Sequence, residues 1–239
     1  MRIGILGGTG PAGRALAARL AAVGFEVVVG SRSKYRAMEI VDTLLENWPE
    51  HQLTIGAADN SGAADADVVV IATPWDGATQ TAALVEDKLR GKVVVSMANA
   101  LTRLGKEFQP LVPPRGSVAA SVQAAVPQCM VAAALHHVPA RELGDLSHPI
   151  ESDVLICSDH PSAIQVTSDI VAKIPNMRPL NAGELAMATP IESFTAVLMQ
   201  LNTHYKTRVA VKLTGIRDGD VARAGGGKAA DARQSEHPA

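Results

Sequence analysis

Gly8, Gly10 and Gly13 stand at the spacing G-x-G-x-x-G, directly after the apolar run Arg2–Leu6. Thr9, Pro11 and Ala12 fill the positions between them. Such spacing suits the binding of a pyrophosphate. The first glycine permits a tight turn, the second lets the backbone approach the anion, and the third lets a helix pack against its strand. Pro11 falls where a helix can begin without needing an N–H. The free amides of that first turn would then face the anion. The pattern is weak alone and gains weight from its context of strand, turn and helix.

A second group of polar residues follows the apolar run at 25–29. Dinucleotide sites that select NAD carry an acid about twenty residues after the glycine turn, where it grips the ribose 2′-hydroxyl. This chain places Ser31 and Arg32 there, with Arg36 four residues on. An acid would repel a 2′-phosphate, whereas a guanidinium fork chelates one. Cations at a helix N-terminus oppose the macrodipole unless an anion sits there. Two charge-assisted hydrogen bonds of about 1.5–3 kcal/mol each would favour the phosphorylated dinucleotide by roughly a hundredfold or more. The expected cofactor is therefore NADP(H).

Three further segments begin where apolar strands should end, which is where such sheets bind ligands. They are Thr73-Pro74-Trp75, Met97-Ala98-Asn99 and His136-His137-Val138-Pro139-Ala140. Thr73 and Pro74 are expected to line the nicotinamide side. Trp75 either closes the cleft or packs at the surface. The paired histidines suit acid–base work, but equally the capping of a strand end or a contact with a phosphate or ring edge. No G-x-S-x-G, no H-E-x-x-H and no lysine–aspartate pair for reducing an alcohol or imine accompanies them. The chain thus offers a place for a hydride donor without evident proton-transfer machinery. That suits a second substrate which is itself a redox cofactor and carries its own chemistry.

The elements that must position these residues alternate regularly. Strands are expected at 2–6, 25–29, 52–55, 67–72, 92–96 and 130–135, and helices from Pro11, at 34–48, 78–89 and 117–125. Strand and helix in alternation imply an α/β fold of Rossmann type, a doubly wound parallel sheet. After Pro139 a loop is expected over 141–152, then a small unit with strands at 153–157 and 177–180 about a helix at 161–173. A long amphipathic helix at 183–205 closes the core or forms a dimer contact. The expected division is a dinucleotide-binding domain over 1–140, a smaller C-terminal α/β part over 141–216, and a disordered tail over 217–239, where large apolar residues nearly vanish.

Composition narrows the classes. Of 239 residues, 47% are hydrophobic and the formal net charge is −2, so neither a nucleic acid nor an anionic membrane is an expected partner. No run approaches the roughly twenty apolar residues of a membrane span. The N-terminal apolar run is broken by Gly4, Gly7 and Gly8 and reads as a strand, so the expected location is cytoplasmic. Cys129 and Cys157 have no metal-like spacing and read as buried thiols.

With these residues in place, the sequence resembles the NADPH-dependent coenzyme F420 reductases. The resemblance rests on 5–13 (ILGGTGPAG), 28–33 (VVGSRS), 72–78 (ATPWDGA), 134–140 (ALHHVPA) and 178–185 (RPLNAGEL). It implies that Thr9, Ser31, Arg32 and Arg36 hold the 2′-phosphate of NADP, and that His136, His137, Val138, Pro139 and Ala140 form the wall for the deazaflavin ring of coenzyme F420. Met97, Ala98 and Asn99 would contribute to the same pocket. It further implies a homodimer whose C-terminal part completes the deazaflavin cleft. Hydride would pass between nicotinamide and deazaflavin, with catalysis mainly by proximity, the reacting carbons about 3–3.5 Å apart. His136 or His137 would hydrogen-bond the carbonyl edge of the ring. The alternatives are an NADPH-dependent reductase of a small carbonyl or imine, a reductase of a flavin, and a non-catalytic NADP-sensing module.

Overall fold

The computed structural model describes residues 1–217 and 219–221. β1 (Arg2–Leu6) leads through the glycine turn into α1 (Pro11–Ala22), and β2 (Glu26–Ser31) into α2 (Lys34–Asn47). β3 (Ile55–Asp59), α3 (Asn60–Ala63), β4 (Val68–Ile71), α4 (Trp75–Ala83), α5 (Glu86–Leu89) and β5 (Val93–Ser96) follow. A hairpin of β6 (Leu101–Leu104) and β7 (Glu107–Pro110) precedes α6 (Val118–Ala125) and β8 (Met130–Ala133). The remainder is α7 (Ala140–Leu143), β9 (Ser152–Ile156), α8 (Pro161–Ala172), β10 (Met177–Asn181) and, after a 3₁₀ turn at Leu185–Met187, α9 (Ala188–Tyr205).

Six strands form one parallel sheet in the order β3-β2-β1-β4-β5-β8. This is the doubly wound order of dinucleotide-binding sheets, with its switch point beside β1. Runs such as VVVI in β4 and VVVS in β5 are buried at every position, because helices cover both faces. One core lies beneath α1, α2, α7 and α8; the other lies beneath α3 to α6 and the start of α9. Each fully buried Val or Ile side chain stabilises the fold by about 1.5–3 kcal/mol relative to exposure.

β9 and β10 pair in parallel. They join the main sheet through one antiparallel bridge, in which the Ala133 and Cys157 amides donate to each other's carbonyls at 2.9 and 3.1 Å. Leu143, Val154, Ile156, Ile170, Val171 and Met177 belong to the same buried cluster as Ile3, Ile5 and Leu16. The junction expected at 140 falls at the start of α7, and packing is continuous across it.

Several elements differ from expectation. The third strand begins at Ile55, where the expected strand ended, because the register sets Ile55 against Val27 and runs on through small residues to Asp59 opposite Ser31. The helix expected at 78–89 starts at Trp75 and breaks around Val85, whose φ is −127°. The hairpin β6–β7 and the single turn α7 lie in segments where no element was expected. Gly183, at φ +97°, delays the last helix, and Pro190 occupies its first turn. The tail expected from 217 lies outside the described residues except at 217 and 219–221.

Candidate active site at the strand ends

The glycine turn is built by packing at two positions and by openness at a third. A Cβ on Gly13 would lie 2.7 Å from the Cα of Gly8, and one on Gly8 would lie 2.9 Å from the carbonyl oxygen of Ile5. These two glycines let α1 close onto the turn. A Cβ on Gly10 would come no nearer than 3.6 Å to protein, so its bareness keeps clear the space above the turn. α1 has no side-chain cap, and Pro11 lacks an N–H, which leaves the first amides of the helix, at Ala12 and Gly13, facing outward. Gly7 adopts φ +71°, and its amide donates to Oδ1 of Asn60 at 3.2 Å. Asn60 thus braces the turn from α3, a role that nothing in its own sequence neighbourhood signals.

The Gly8 amide also donates to the carbonyl of Gly30 at 2.8 Å, which ties the turn to the end of β2. The next residue, Ser31, is buried, and its Oγ accepts from the Ser33 amide. Ser33 caps α2 by accepting from the amide of Arg36. The Arg32 and Arg36 side chains are exposed, with no hydrogen bond or ion pair among the described residues, and the first turn of α2 carries no acid. Two exposed guanidinium groups beside an acid-free helix N-terminus concentrate positive charge there, and guanidinium forks suit phosphate oxygens. Thr9 stands half-buried in the turn nearby.

At the ends of β4 and β5 the structure separates the expected residues into lining and support. Thr73 buries Oγ1 without a hydrogen-bond partner among the described residues, and Pro74 is exposed. An orphaned hydroxyl at a strand end is costly unless a ligand satisfies it. Trp75, half-buried, opens α4 and packs against the core on that side of the sheet. Met97 and Ala98 are both buried, Met97 in one core and Ala98 in the other, because successive residues point to opposite faces, so this turn offers a ligand its backbone rather than these side chains. Of that turn, only Asn99 is partly open. Its Nδ2 donates to the carbonyl of His136 at 3.0 Å, while Oδ1 accepts from Thr195 Oγ1 on α9 at 3.1 Å.

The segment 136–140 crosses the strand ends because Leu135 takes the left-handed conformation, φ +66°. That conformation costs an L-residue about 1–2 kcal/mol, which the surrounding anchors offset. The His136 carbonyl is held by Asn99 and Thr195, and His137 Nε2 donates to the carbonyl of Asp153 on β9 at 2.8 Å. Beyond the wall, the buried Arg19 of α1 donates to the carbonyls of Glu142, Leu143, Asp145 and His148. Helix α1, which carries the glycine turn, and the wall are thereby clamped together.

Both imidazoles depart from the expected role. His136 and His137 are 4% and 3% exposed, so neither ring presents a nitrogen to the cleft. Burial first, and the neighbouring His137 second, push the His136 pKa down to about 3. Burial also lowers His137, despite the Asp153 carbonyl that favours its protonated form. Both are neutral near pH 7. The open surface of the wall is Val138, Pro139 and Ala140, each half-buried. The surface of this segment is thus an apolar rim resting on buried histidines, whose rings do not reach it.

Behind His136 lies a residue that the sequence did not disclose. Glu192 of α9 is 4% exposed, and its carboxylate accepts from the amides of Val118 and Ala119, the first of α6, at 2.8 and 3.1 Å. Burial raises its pKa to about 7 against the opposing pull of these two amides. Among the described residues no group of His, Cys, Asp and Glu could hold a metal ion.

Comparison with known proteins shows the family of the chain. Residues 2–100 match the family model described as NADP oxidoreductase, coenzyme F420-dependent. The F420-dependent NADP reductase of Methanocaldococcus jannaschii is 35% identical over 222 residues, covering 91% of this chain and 97% of that protein. The F420-dependent NADP reductase of Methanothermobacter thermautotrophicus is 32% identical, covering 90% and 96%. A crystal structure from Arthrobacter sp. fb24, described as a candidate F420-dependent NADP reductase, superposes with a TM-score of 0.74 at 23% identity, over 89% of this chain and 100% of that one. At that identity it shows the shared fold.

Proposed function

The chain belongs to the F420-dependent NADP reductases, and from that premise we propose that the strand-end cleft is where it works on NADP(H) and coenzyme F420. It is an oxidoreductase that uses these two substrates. The nicotinamide and the deazaflavin supply the hydride chemistry themselves. The observation that carries the site assignment is the pair of unpartnered guanidinium groups, Arg32 and Arg36, beside the capped but acid-free start of α2.

The residues of the chain divide the remaining work. Gly8, Gly10 and Gly13 with Thr9, Pro11 and Ala12 receive the pyrophosphate. Ser31, Arg32 and Arg36 receive the 2′-phosphate. Thr73 and Pro74 border the nicotinamide. Val138, Pro139 and Ala140 offer the deazaflavin a rigid apolar surface, and Asn99 with Thr195 fixes the height of that surface above the strand ends. No side chain of the cleft is placed as a proton donor. The fixed wall is the chain's contribution to orientation, which can supply several kcal/mol of barrier reduction.

The part over 141–216 is assigned to completing the deazaflavin side of the cleft. A cytoplasmic homodimer is the assembly proposed. Its support is the row of exposed Phe194, Val197 and Tyr205 on α9, beside exposed Leu104, Leu111 and Val112 around the hairpin. Both cysteines are buried free thiols, which suits a reducing compartment. No helix among the described residues is long and apolar enough to cross a membrane.

Mixing the protein with NADPH and oxidised coenzyme F420, and following loss of the deazaflavin's visible absorbance, tests the reading. Loss is expected with NADPH and not when FMN replaces the deazaflavin; NADH should support little. No loss, with NADPH still bound, would overturn it in favour of a carbonyl or imine substrate.

A further inference from the structure

Helices α1, α2 and α7 border a groove of about 780 Å³ that shares only Pro11 and Ala140 with the site described above. Its lining includes Pro11 and Ala140, the first residues of α1 and α7, which also border the cleft, and Trp48, at the close of α2. The walls are partly apolar, with Ile40 and Leu44 on one side and Ala15 on the other. A groove of this size falls within the range of small-molecule sites.

The charge of the groove is one-sided. Arg14 and Arg141 both stand in its lining, and no carboxylate does. Both are exposed, and neither has a hydrogen bond or ion pair among the described residues. The acids of α2, Glu39, Asp42 and Glu46, fall outside the lining. Helical spacing explains this, since residues 40, 43, 44 and 47 share a face that 39, 42 and 46 do not. Two uncompensated cations in a concave, partly apolar wall concentrate positive potential there.

The dinucleotide does not account for these cations. Its pyrophosphate is assigned to the first amides of α1, and its 2′-phosphate to Ser31, Arg32 and Arg36, at the start of α2. The second substrate does carry surplus anions. Coenzyme F420 is a deazaflavin whose ribityl chain continues into a phosphodiester and glutamyl carboxylates. A ring against Val138–Ala140 would meet the groove at Ala140, which lines both. Resting on the function proposed above, we propose that this groove holds the anionic tail of the deazaflavin coenzyme, with Arg14 and Arg141 binding its phosphate and carboxylates.

The test compares coenzyme F420 with the tail-less deazaflavin that ends at the ribityl chain, using wild type, Arg14→Gln, Arg141→Gln and the double variant. The Michaelis constant for the tailed coenzyme should rise about tenfold for each guanidinium removed, and about a hundredfold in the double variant. The constants for the tail-less substrate and for NADPH should stay within about twofold. In wild type, salt should weaken the tailed substrate and spare the tail-less one. An unchanged thermal midpoint shows that these exposed positions do not disturb folding. Equal shifts for both deazaflavins, no shift at all, or a shift confined to NADPH would each overturn the groove assignment alone. Failure of wild type to reduce either deazaflavin would overturn the function first and this assignment with it.

Discussion

Oε1 of Glu192 lies 3.9 Å from Nε2 of His136, and neither side chain is more than 5% exposed. The contact is not an ion pair near neutral pH, because burial holds the imidazole uncharged. It links α9, the start of α6 and the back of the wall in one buried polar contact.

These two groups make opposite contributions to stability. Glu192 titrates near 7 when folded, above its ordinary value of 4.5. Its contribution is fully present below 4.5 and is lost as pH rises through 7. His136 titrates near 3, below its ordinary 6.5. Its contribution is fully present above 6.5 and is lost as pH falls towards 3. Between 4.5 and 6.5 the slopes oppose, each by up to about 1.4 kcal/mol per pH unit. Glu192→Gln is expected to become less stable than wild type on acidification from 6.5, and His136→Leu on alkalinisation from 4.5. Urea midpoints across this range check it; curves parallel to wild type for both variants would refute the coupling.

The guanidinium groups at the end of β2 predict cofactor choice. Arg32→Ala should raise the Michaelis constant for NADPH about tenfold to a hundredfold and leave that for NADH nearly unchanged. Steady-state kinetics with both dinucleotides decide it, and equal rises would show that Arg32 does not read the phosphate.

The glycines of the turn should separate folding from binding. Gly13→Ala forces a Cβ to within 2.7 Å of the Gly8 Cα and is expected to cost about 1–3 kcal/mol of stability. Gly10→Ala has room within the protein, so its stability should hold within about 0.5 kcal/mol while affinity for both dinucleotides falls. Denaturation and dinucleotide titration on the two variants provide the comparison.

Arg19→Met removes the guanidinium from four carbonyls and should destabilise by about 3 kcal/mol or more. Arg19→Lys should recover part of this, since an ammonium retains three donors. At temperatures where both variants are folded, turnover with the deazaflavin should fall more than affinity for NADPH. Unchanged turnover would show that the clamp does not set the position of the wall.

What could be read from the sequence were features with local signatures. Arg2–Leu6 and the valine runs of β4 and β5 were plain because strands buried on both faces are uniformly apolar. The glycine turn and Ser31, Arg32 and Arg36 were plain because their spacing is local. The edge strand Ile55–Asp59 was displaced because IGAAD has little apolar contrast. The hairpin at 101–110 was hidden because its strands are short, largely exposed and interrupted by charges, with Gly105 at φ +61° as its sole turn signal. At the wall, the pairing of two histidines was visible but their burial was not. Burial there depends on β9, α6 and α9 arriving from distant parts of the chain. Glu192 and Arg19 were illegible for the same reason, since a lone acid or arginine on an amphipathic helix looks like a solvated one.

The bridge between Ala133 and Cys157 has a kinetic meaning. It splices the last two strands onto the dinucleotide-binding sheet, and the buried cluster runs unbroken from Ile3 to Met177. Two walls that share one core are expected to move as one body, so a planar ring should enter without their parting like jaws. Changes that loosen this splice should blur the alignment of the rings long before they unfold the chain.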